Sequence, residues 1–86
     1  MIHIHVDSMK AAEHLSVICK EFGHDVYLCS EKFRIDPKST LGILAMMYSS
    51  RDRMFLDTGN ADGQDLHAFM EAIDAYIVKE DTRDAV

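Results

Sequence analysis

The sequence predicts one α+β domain, in which four short strands and three helices follow the order β-α-β-β-α-β-α. Two kinds of pattern carry this prediction. Residues 1–7 alternate apolar and polar side chains, as a strand with one buried face does, whereas residues 9–22 repeat apolar side chains every three or four positions, as an amphipathic helix does. Because each helix has one apolar stripe and each strand one apolar face, we expect an antiparallel or mixed four-stranded sheet with the helices on one face.

The first half of the chain carries clear boundary signals. Asp7 or Ser8 is expected to cap the first helix, and Gly23 to end it in the left-handed conformation. Residues 25–29 and 33–35 flank a polar turn and predict a hairpin. Four hairpin side chains are expected to face the core: Val26, Leu28, Phe33 and Ile35.

The second half continues the same alternation of helix and strand. Residues 39–47 form a short helix of two to three turns, residues 49–52 form a polar turn, and residues 53–58 form the fourth strand. Asp62 is expected to cap the last helix, whose apolar stripe continues through Ile77 to about residue 80. Residues 1–80 then make up the domain, and residues 81–86 are expected to fray.

Charge and hydropathy exclude several classes of partner. The net charge is −6 and the nine Lys and Arg residues form no run, which argues against nucleic acid. No apolar segment approaches the roughly 20 residues needed to span a bilayer, and polar residues interrupt the start of the chain, where a signal peptide would be apolar. We therefore expect a cytoplasmic protein with no membrane contact.

The two cysteines, Cys19 and Cys29, are separated by nine residues and form no C-x-x-C motif. This spacing predicts neither a disulfide framework nor a zinc knuckle, so both are expected to act as small buried apolar residues. Nothing in the sequence indicates a cofactor. Neither a Ser-His-Asp pattern nor a pair of catalytic carboxylates is present, so we expect a protein that is not an enzyme.

Residues 38–46 read Lys-Ser-Thr-Leu-Gly-Ile-Leu-Ala-Met. Together with the element order, this segment resembles the HPr phosphocarrier family of the bacterial sugar phosphotransferase system, and a Gly/Asp-rich loop of that family has its counterpart in residues 59–62. The resemblance covers nearly the whole chain. It implies an HPr-like open-faced β-sandwich, with a four-stranded antiparallel sheet and three helices on one face.

The start of the first helix departs from the family. Phosphate-carrying members have a histidine there, in a Gly-Leu-His-Ala-Arg-Pro segment, where backbone N–H groups and an arginine hold the phosphoryl group. This sequence has a shorter junction without histidine, arginine, glycine or proline, formed by Asp7, Ser8, Met9 and Lys10. The junction is therefore interpreted as a degenerate phosphorylation loop, and Asp7 would repel a phosphate.

Ser39 is the candidate regulatory site. The resemblance implies phosphorylation by a serine kinase, since some relatives without the active histidine keep this serine and act only in catabolite regulation. A phosphoserine at a helix start places about −1.5 to −2 charges at the positive end of the helix dipole, and Lys38 can pair with it. The alternatives are that Ser39 only caps the helix, or that Asp36 caps it with Pro37 in the first position.

The second helix is also the candidate docking surface. Its apolar side chains are too many for one narrow buried stripe, so some are expected to be exposed and to contact a partner protein, although a short, fully packed helix is an equal alternative. The predicted docking residues are Lys38, Thr40, Leu41, Ile43, Leu44 and Met47.

The histidines carry weaker hypotheses. His3 and His5 lie on one face of the first strand, and Tyr27, Cys29 and Phe55 are expected on the same face of the sheet because of the alternation along their strands. Two histidines without a third ligand are poor support for a metal site. His14 lies about two turns into its helix, away from free N–H groups.

The sequence thus favours a degenerate HPr-like protein that works through protein partners in phosphotransferase or catabolite regulation. Two alternatives stay open: an active phosphocarrier that uses a non-standard histidine, and a structural or metal-binding module that uses the exposed sheet face. The sequence leaves the oligomeric state undetermined.

Overall fold

The computed structural model describes residues 1–49 and 53–79. These residues form an α+β fold with three α-helices, a four-stranded antiparallel sheet and a short 3-10 helix. The strands are β1 (Ile2–Ile4), β2 (Tyr27–Cys29), β3 (Arg34–Ile35) and β4 (Met54–Asp57). The helices are α1 (Met9–Phe22), α2 (Thr40–Ser49) and α3 (Gly63–Ala72), and the 3-10 helix is Asp74–Tyr76.

The sheet has the order β1-β4-β2-β3, and every pair of neighbours is antiparallel. Leu56 lies opposite Ile2 on one side and Leu28 on the other, so these three side chains share one face of the sheet. Leu28 and Leu56 are fully buried. This face of the sheet therefore packs against the core, as the alternation in the sequence predicts.

The three helices contribute side chains to the same core. Leu15 of α1, Ile43 of α2 and Phe69 of α3 all belong to the buried cluster that includes Leu28 and Leu56. α2 packs closely on the hairpin at Gly42. A Cβ atom added at this glycine would lie only 3.3 Å from the Cδ1 atom of Ile35. The helices are thus held by their contacts with the sheet and with one another.

Both ends of α1 are determined locally. The Ser8 hydroxyl accepts a hydrogen bond from the backbone N–H of Ala11 at 3.1 Å, and Gly23 adopts φ 79°, where an L side chain would be strained. The predicted bounds of this helix are confirmed. Of the two predicted caps, Ser8 is the one that is used.

A pair of cap variants tests this assignment. Ser8→Ala is expected to lower the free energy of unfolding by about 1 kcal/mol, because it leaves the N–H of Ala11 without its protein partner. Asp62 occupies the cap position of α3 but makes no side-chain cap hydrogen bond, so Asp62→Ala is the matched control with a smaller loss. Urea unfolding of both variants measures the difference, and equal losses would contradict the assignment.

The prediction of a last helix that continues to residue 80 is wrong for the described residues. α3 ends at Ala72, and the chain passes through the 3-10 helix before Ile77 forms an antiparallel bridge with Ile4. The backbone N–H of Val78 donates to the carbonyl oxygen of His3 at 2.9 Å, and that of His5 donates to the carbonyl oxygen of Tyr76 at 2.8 Å. This segment therefore covers the outer edge of β1.

The hairpin differs from its prediction at one side chain. Phe33 is 51% exposed instead of facing the core. Its carbonyl oxygen accepts a hydrogen bond from the N–H of Ser30, so the residue belongs to the turn and precedes β3. Val26 and Leu28 are buried as predicted, and Ile35 is partly buried. The predictions for residues 50–52 of the polar turn and for residues 80–86 lie outside the described residues.

Candidate functional site

The start of α2 is an organised turn. The N–H of Lys38 donates to the Asp36 carboxylate at 2.9 Å, and the carbonyl oxygen of Lys38 accepts a hydrogen bond from the buried Ser16 hydroxyl at 2.7 Å. Pro37, which lies between Asp36 and Lys38 in the chain, is buried. Ser16 therefore fixes the entry to α2 against the middle of α1.

Ser39 is the N-cap residue of α2. Its hydroxyl oxygen accepts a hydrogen bond from the N–H of Gly42 at 3.2 Å, and its carbonyl oxygen accepts one from the N–H of Ile43 at 3.1 Å. The alternative in which Asp36 caps and Pro37 takes the first helical position is therefore wrong. The Ser39 side chain is exposed, so it can reach a second protein while it caps the helix.

The outer side of α2 presents large apolar groups. Leu41 is 76% exposed and Tyr48 is 80% exposed, and Ala45 between them is also exposed. Positions four and three apart lie on the same side of a helix, so these three residues form one face. We call Leu41, Ala45 and Tyr48 the α2 surface.

The other predicted docking residues divide by burial. Ile43 is fully buried in the core, so its assignment as a docking contact is corrected: it cannot meet a partner while the helix stays packed. Leu44 and Met47 are half-buried against the core, and Lys38 and Thr40 are partly exposed. The prediction missed Ala45 and Tyr48, because their spacing from Leu41 identifies an exposed face only once Ile43 is known to be buried.

The start of α1 is the segment that was predicted to be a degenerate phosphorylation loop. Asp7, Ser8, Met9 and Lys10 are all exposed. The Ser8 hydroxyl already occupies the N–H of Ala11, and the Asp7 carboxylate lies at the helix start, 3.7 Å from Nε2 of His5. A carboxylate in this place repels an anion, so the geometry opposes phosphate binding.

The other histidines have partners that the sequence did not indicate. Nδ1 of His14 lies 2.5 Å from the hydroxyl oxygen of Tyr76, and this contact joins α1 to the 3-10 helix. Nε2 of His24 lies 2.9 Å from the Asp65 carboxylate and joins the end of α1 to α3. These contacts explain the residues as connections between elements.

The second face of the sheet carries a mixed set of side chains. His3, Phe55 and Cys29 lie opposite one another across β1, β4 and β2, and the ring centroids of His3 and Phe55 are 5.0 Å apart. The Arg34 guanidinium lies over the Tyr27 ring at 4.2 Å. The described residues contain no group of three or more His, Cys, Asp or Glu side chains placed to hold a metal ion.

Asp57 forms an ion pair on the same face. Its carboxylate accepts a hydrogen bond from the N–H of Gly59 at 2.9 Å and lies 3.2 Å from the Arg34 guanidinium. The hydrogen bond from Gly59, with the nearby Arg34 charge as a smaller cause, lowers the pKa of the Asp57 carboxyl below its ordinary value.

Because the folded pKa of Asp57 is depressed, its contribution to stability is complete above the unfolded value of about 3.9 and is lost as the pH falls through the folded pKa. Asp57→Asn is therefore expected to be less stable than the wild type near neutral pH, with a difference that shrinks below about pH 4. Urea unfolding across this range checks the prediction. A difference that grows on acidification would contradict it.

Both cysteines are buried and free. Burial raises the pKa of the Cys19 thiol to about 12 and raises that of the Cys29 thiol, although Arg34 opposes the shift at Cys29. A thiol with a raised pKa is a poor nucleophile. The prediction that both act as small buried apolar residues is confirmed.

Comparison of the chain with protein-family models, with curated proteins and with solved structures found no match. The resemblance to the HPr family therefore rests on residues 38–46 and on the order of the elements. Among the described helices, none combines the length and the apolar character needed to cross a bilayer.

Proposed function

We propose that this chain is a non-catalytic, HPr-like protein of the open-faced type that acts through protein contact in phosphotransferase or catabolite regulation. Its α2 surface docks on the partner, and phosphorylation of Ser39 switches the contact. The observation that carries this proposal is the exposure of Leu41 and Tyr48 on the helix that Ser39 begins. The protein acts in the cytoplasm, where such partners are found.

The exposure of the α2 surface supports docking because large apolar side chains gain most from leaving water in a complex. Tyrosine is also among the residues enriched where binding energy is concentrated. The patch is held on a rigid support, since Ile43 and Met46 on the opposite side of α2 are buried. Little ordering of the helix is needed when a partner binds.

The position of Ser39 supports a switch. A serine kinase would transfer the γ-phosphoryl group of ATP to the Ser39 oxygen, with loss of the hydroxyl proton and release of ADP. The phosphate would then lie at the positive end of the α2 dipole, beside Lys38 and two residues from Leu41. The added negative charge beside the α2 surface would change the affinity of this surface for any partner that covers Leu41.

The start of α1 supports a role without phosphoryl transfer. The described residues place Asp7 and a capping Ser8 where an HPr phosphocarrier would need a histidine and free backbone N–H groups. His14, the next histidine, already contacts the Tyr76 hydroxyl. The geometry therefore favours the degenerate form over an active phosphocarrier with a non-standard histidine.

An NMR titration tests the docking role. The ¹⁵N-labelled protein is titrated with the phosphotransferase system's general phosphoryl donor enzyme and with its regulatory serine kinase. For at least one of them, the largest amide shifts are expected at Leu41, Ala45 and Tyr48. Leu41→Asp is expected to keep the fold, because the side chain is exposed, and to weaken binding by more than about tenfold.

Val17→Asp is the matched control for this titration. Val17 is 49% exposed on α1, and its substitution removes an exposed aliphatic group and adds the same charge. It is expected to bind as the wild type does. Unfolding of Leu41→Asp, or shifts centred on the Phe55 face of the sheet, would overturn the docking role of α2.

A further inference from the structure

The α2 surface differs from the rest of the protein in charge. The chain carries 15 Asp and Glu residues against nine Lys and Arg, yet α2 has no charged residue among its ten. A cationic partner would be drawn to the acidic parts of the protein and would gain no charge pairing from the side chains of this helix. The absence of charge on α2 therefore argues against a cationic partner for the α2 surface.

The chemistry of the surface suits a second copy of the same chain. Two molecules of net charge −6 repel each other over most of their surfaces. A contact made by α2 against α2 places no carboxylate of either helix in the interface, so the two helices bring no like charges together. The uncharged helix is thus a place where copies can meet at low electrostatic cost.

The arrangement of side chains is self-complementary. Leu41 and Tyr48 are seven residues apart, which is about 10 Å along the helix axis, and the small Ala45 lies between them. A two-fold axis near Ala45 would make two α2 helices antiparallel and set Leu41 of each copy against Tyr48 of the other. The alanines at the crossing point let the helices approach closely.

We propose that a second copy of this chain covers the α2 surface in an antiparallel, two-fold symmetric contact. This inference rests on the proposed docking role of α2 and names the occupant of that surface in the absence of a heterologous partner. The patch on each copy is one short helix, well below the roughly 800 Å² per partner of a standard interface. The dimer is therefore weak and is expected to form only at high protein concentration.

Sedimentation equilibrium of the purified chain up to about 1 mM tests the proposal. The average molecular mass of the wild type is expected to rise with concentration from the monomer mass of 9.8 kDa towards twice that value. Leu41→Asp is expected to raise the dissociation constant more than about tenfold, whereas Val17→Asp, with the same added charge, is expected to associate like the wild type. A wild type that stays monomeric, or equal effects of both variants, would overturn the proposal.

Cysteine variants test the orientation. With oxidised glutathione as the oxidant, Ala45→Cys is expected to form a disulfide-linked dimer, because the two residues meet at the two-fold axis. In the antiparallel contact the Leu41 positions of the two copies are about 10 Å apart along the axis, too far for a disulfide. Leu41→Cys is therefore expected to stay unlinked, and linkage of both variants would overturn the antiparallel contact.

The native thiols do not interfere with this test, because Cys19 and Cys29 are both buried. The two proposals also fail in different ways. A monomeric wild type whose amide shifts with a heterologous partner still centre on Leu41 would end the dimer and keep the docking role. A Leu41→Asp variant that unfolds would end the docking role itself.

Discussion

Ile43→Ala is expected to lower the free energy of unfolding by about 2–5 kcal/mol, whereas Leu41→Ala changes it by less than about 0.5 kcal/mol. The two residues are two positions apart on α2 and have side chains of the same size. Ile43 is fully buried and Leu41 is 76% exposed. Removing Ile43 leaves a cavity in the core, but removing the exposed Leu41 leaves none.

Urea unfolding of the two variants, with equal slopes confirming two-state behaviour, measures this difference. The pair is its own control because the substitutions remove equal numbers of carbon atoms from one helix. Similar losses in both variants would contradict the orientation of α2. The docking role would then lose its surface, because Leu41 would be part of the core.

Phe69→Ala is the second substitution with a large expected effect, a loss of about 3–5 kcal/mol. Phe69 is 3% exposed and stacks on Phe22, with ring centroids 4.2 Å apart. The pair joins α3 to α1 at the base of a cleft of about 280 Å³ that also includes Ile18 and Ala72. Loss of the ring would enlarge the cleft and leave Phe22 without its partner.

Gln64→Ala is the matched control on the same helix, because Gln64 is exposed and its loss is expected to change stability by less than about 0.5 kcal/mol. Thermal unfolding followed by circular dichroism compares the two variants. Equal melting temperatures of the Phe69→Ala and Gln64→Ala variants would contradict the packing of α3 on α1.

The elements that the sequence predicted well have local causes. α1 begins and ends where predicted because Ser8 and Gly23 determine its ends through contacts within one turn. The alternation of apolar and polar residues along β1 likewise agrees with the structure, because Ile4 is buried, and alternation along a strand needs no distant partner.

The errors fall where distant contacts decide the structure. Ile77 fits the period of α3, but its bridge to Ile4 comes from the other end of the chain and overrides that period. Phe33 fits the alternation of the hairpin, but the turn extends through it. In both cases the local pattern was compatible with two structures.

The candidate site was predictable in its position but not in its orientation. Apolar residues surround most of α2, so periodicity alone could not decide which of Leu41 and Ile43 faces the core. Packing against the sheet and α1 makes that choice. The spacing of Leu41, Ala45 and Tyr48 becomes informative only after Ile43 is known to be buried.

Two phosphorylation reactions, read by intact-mass measurement, test most directly the proposed role in regulation by contact. With ATP and the regulatory serine kinase, the wild type is expected to gain one phosphate, and Ser39→Asn, which keeps a capping side chain, none. With phosphoenolpyruvate and the general phosphoryl donor enzyme, the mass is expected to stay unchanged. An acid-labile phosphate on His14 or another histidine would contradict the proposal, as would a wild type that the kinase leaves unmodified.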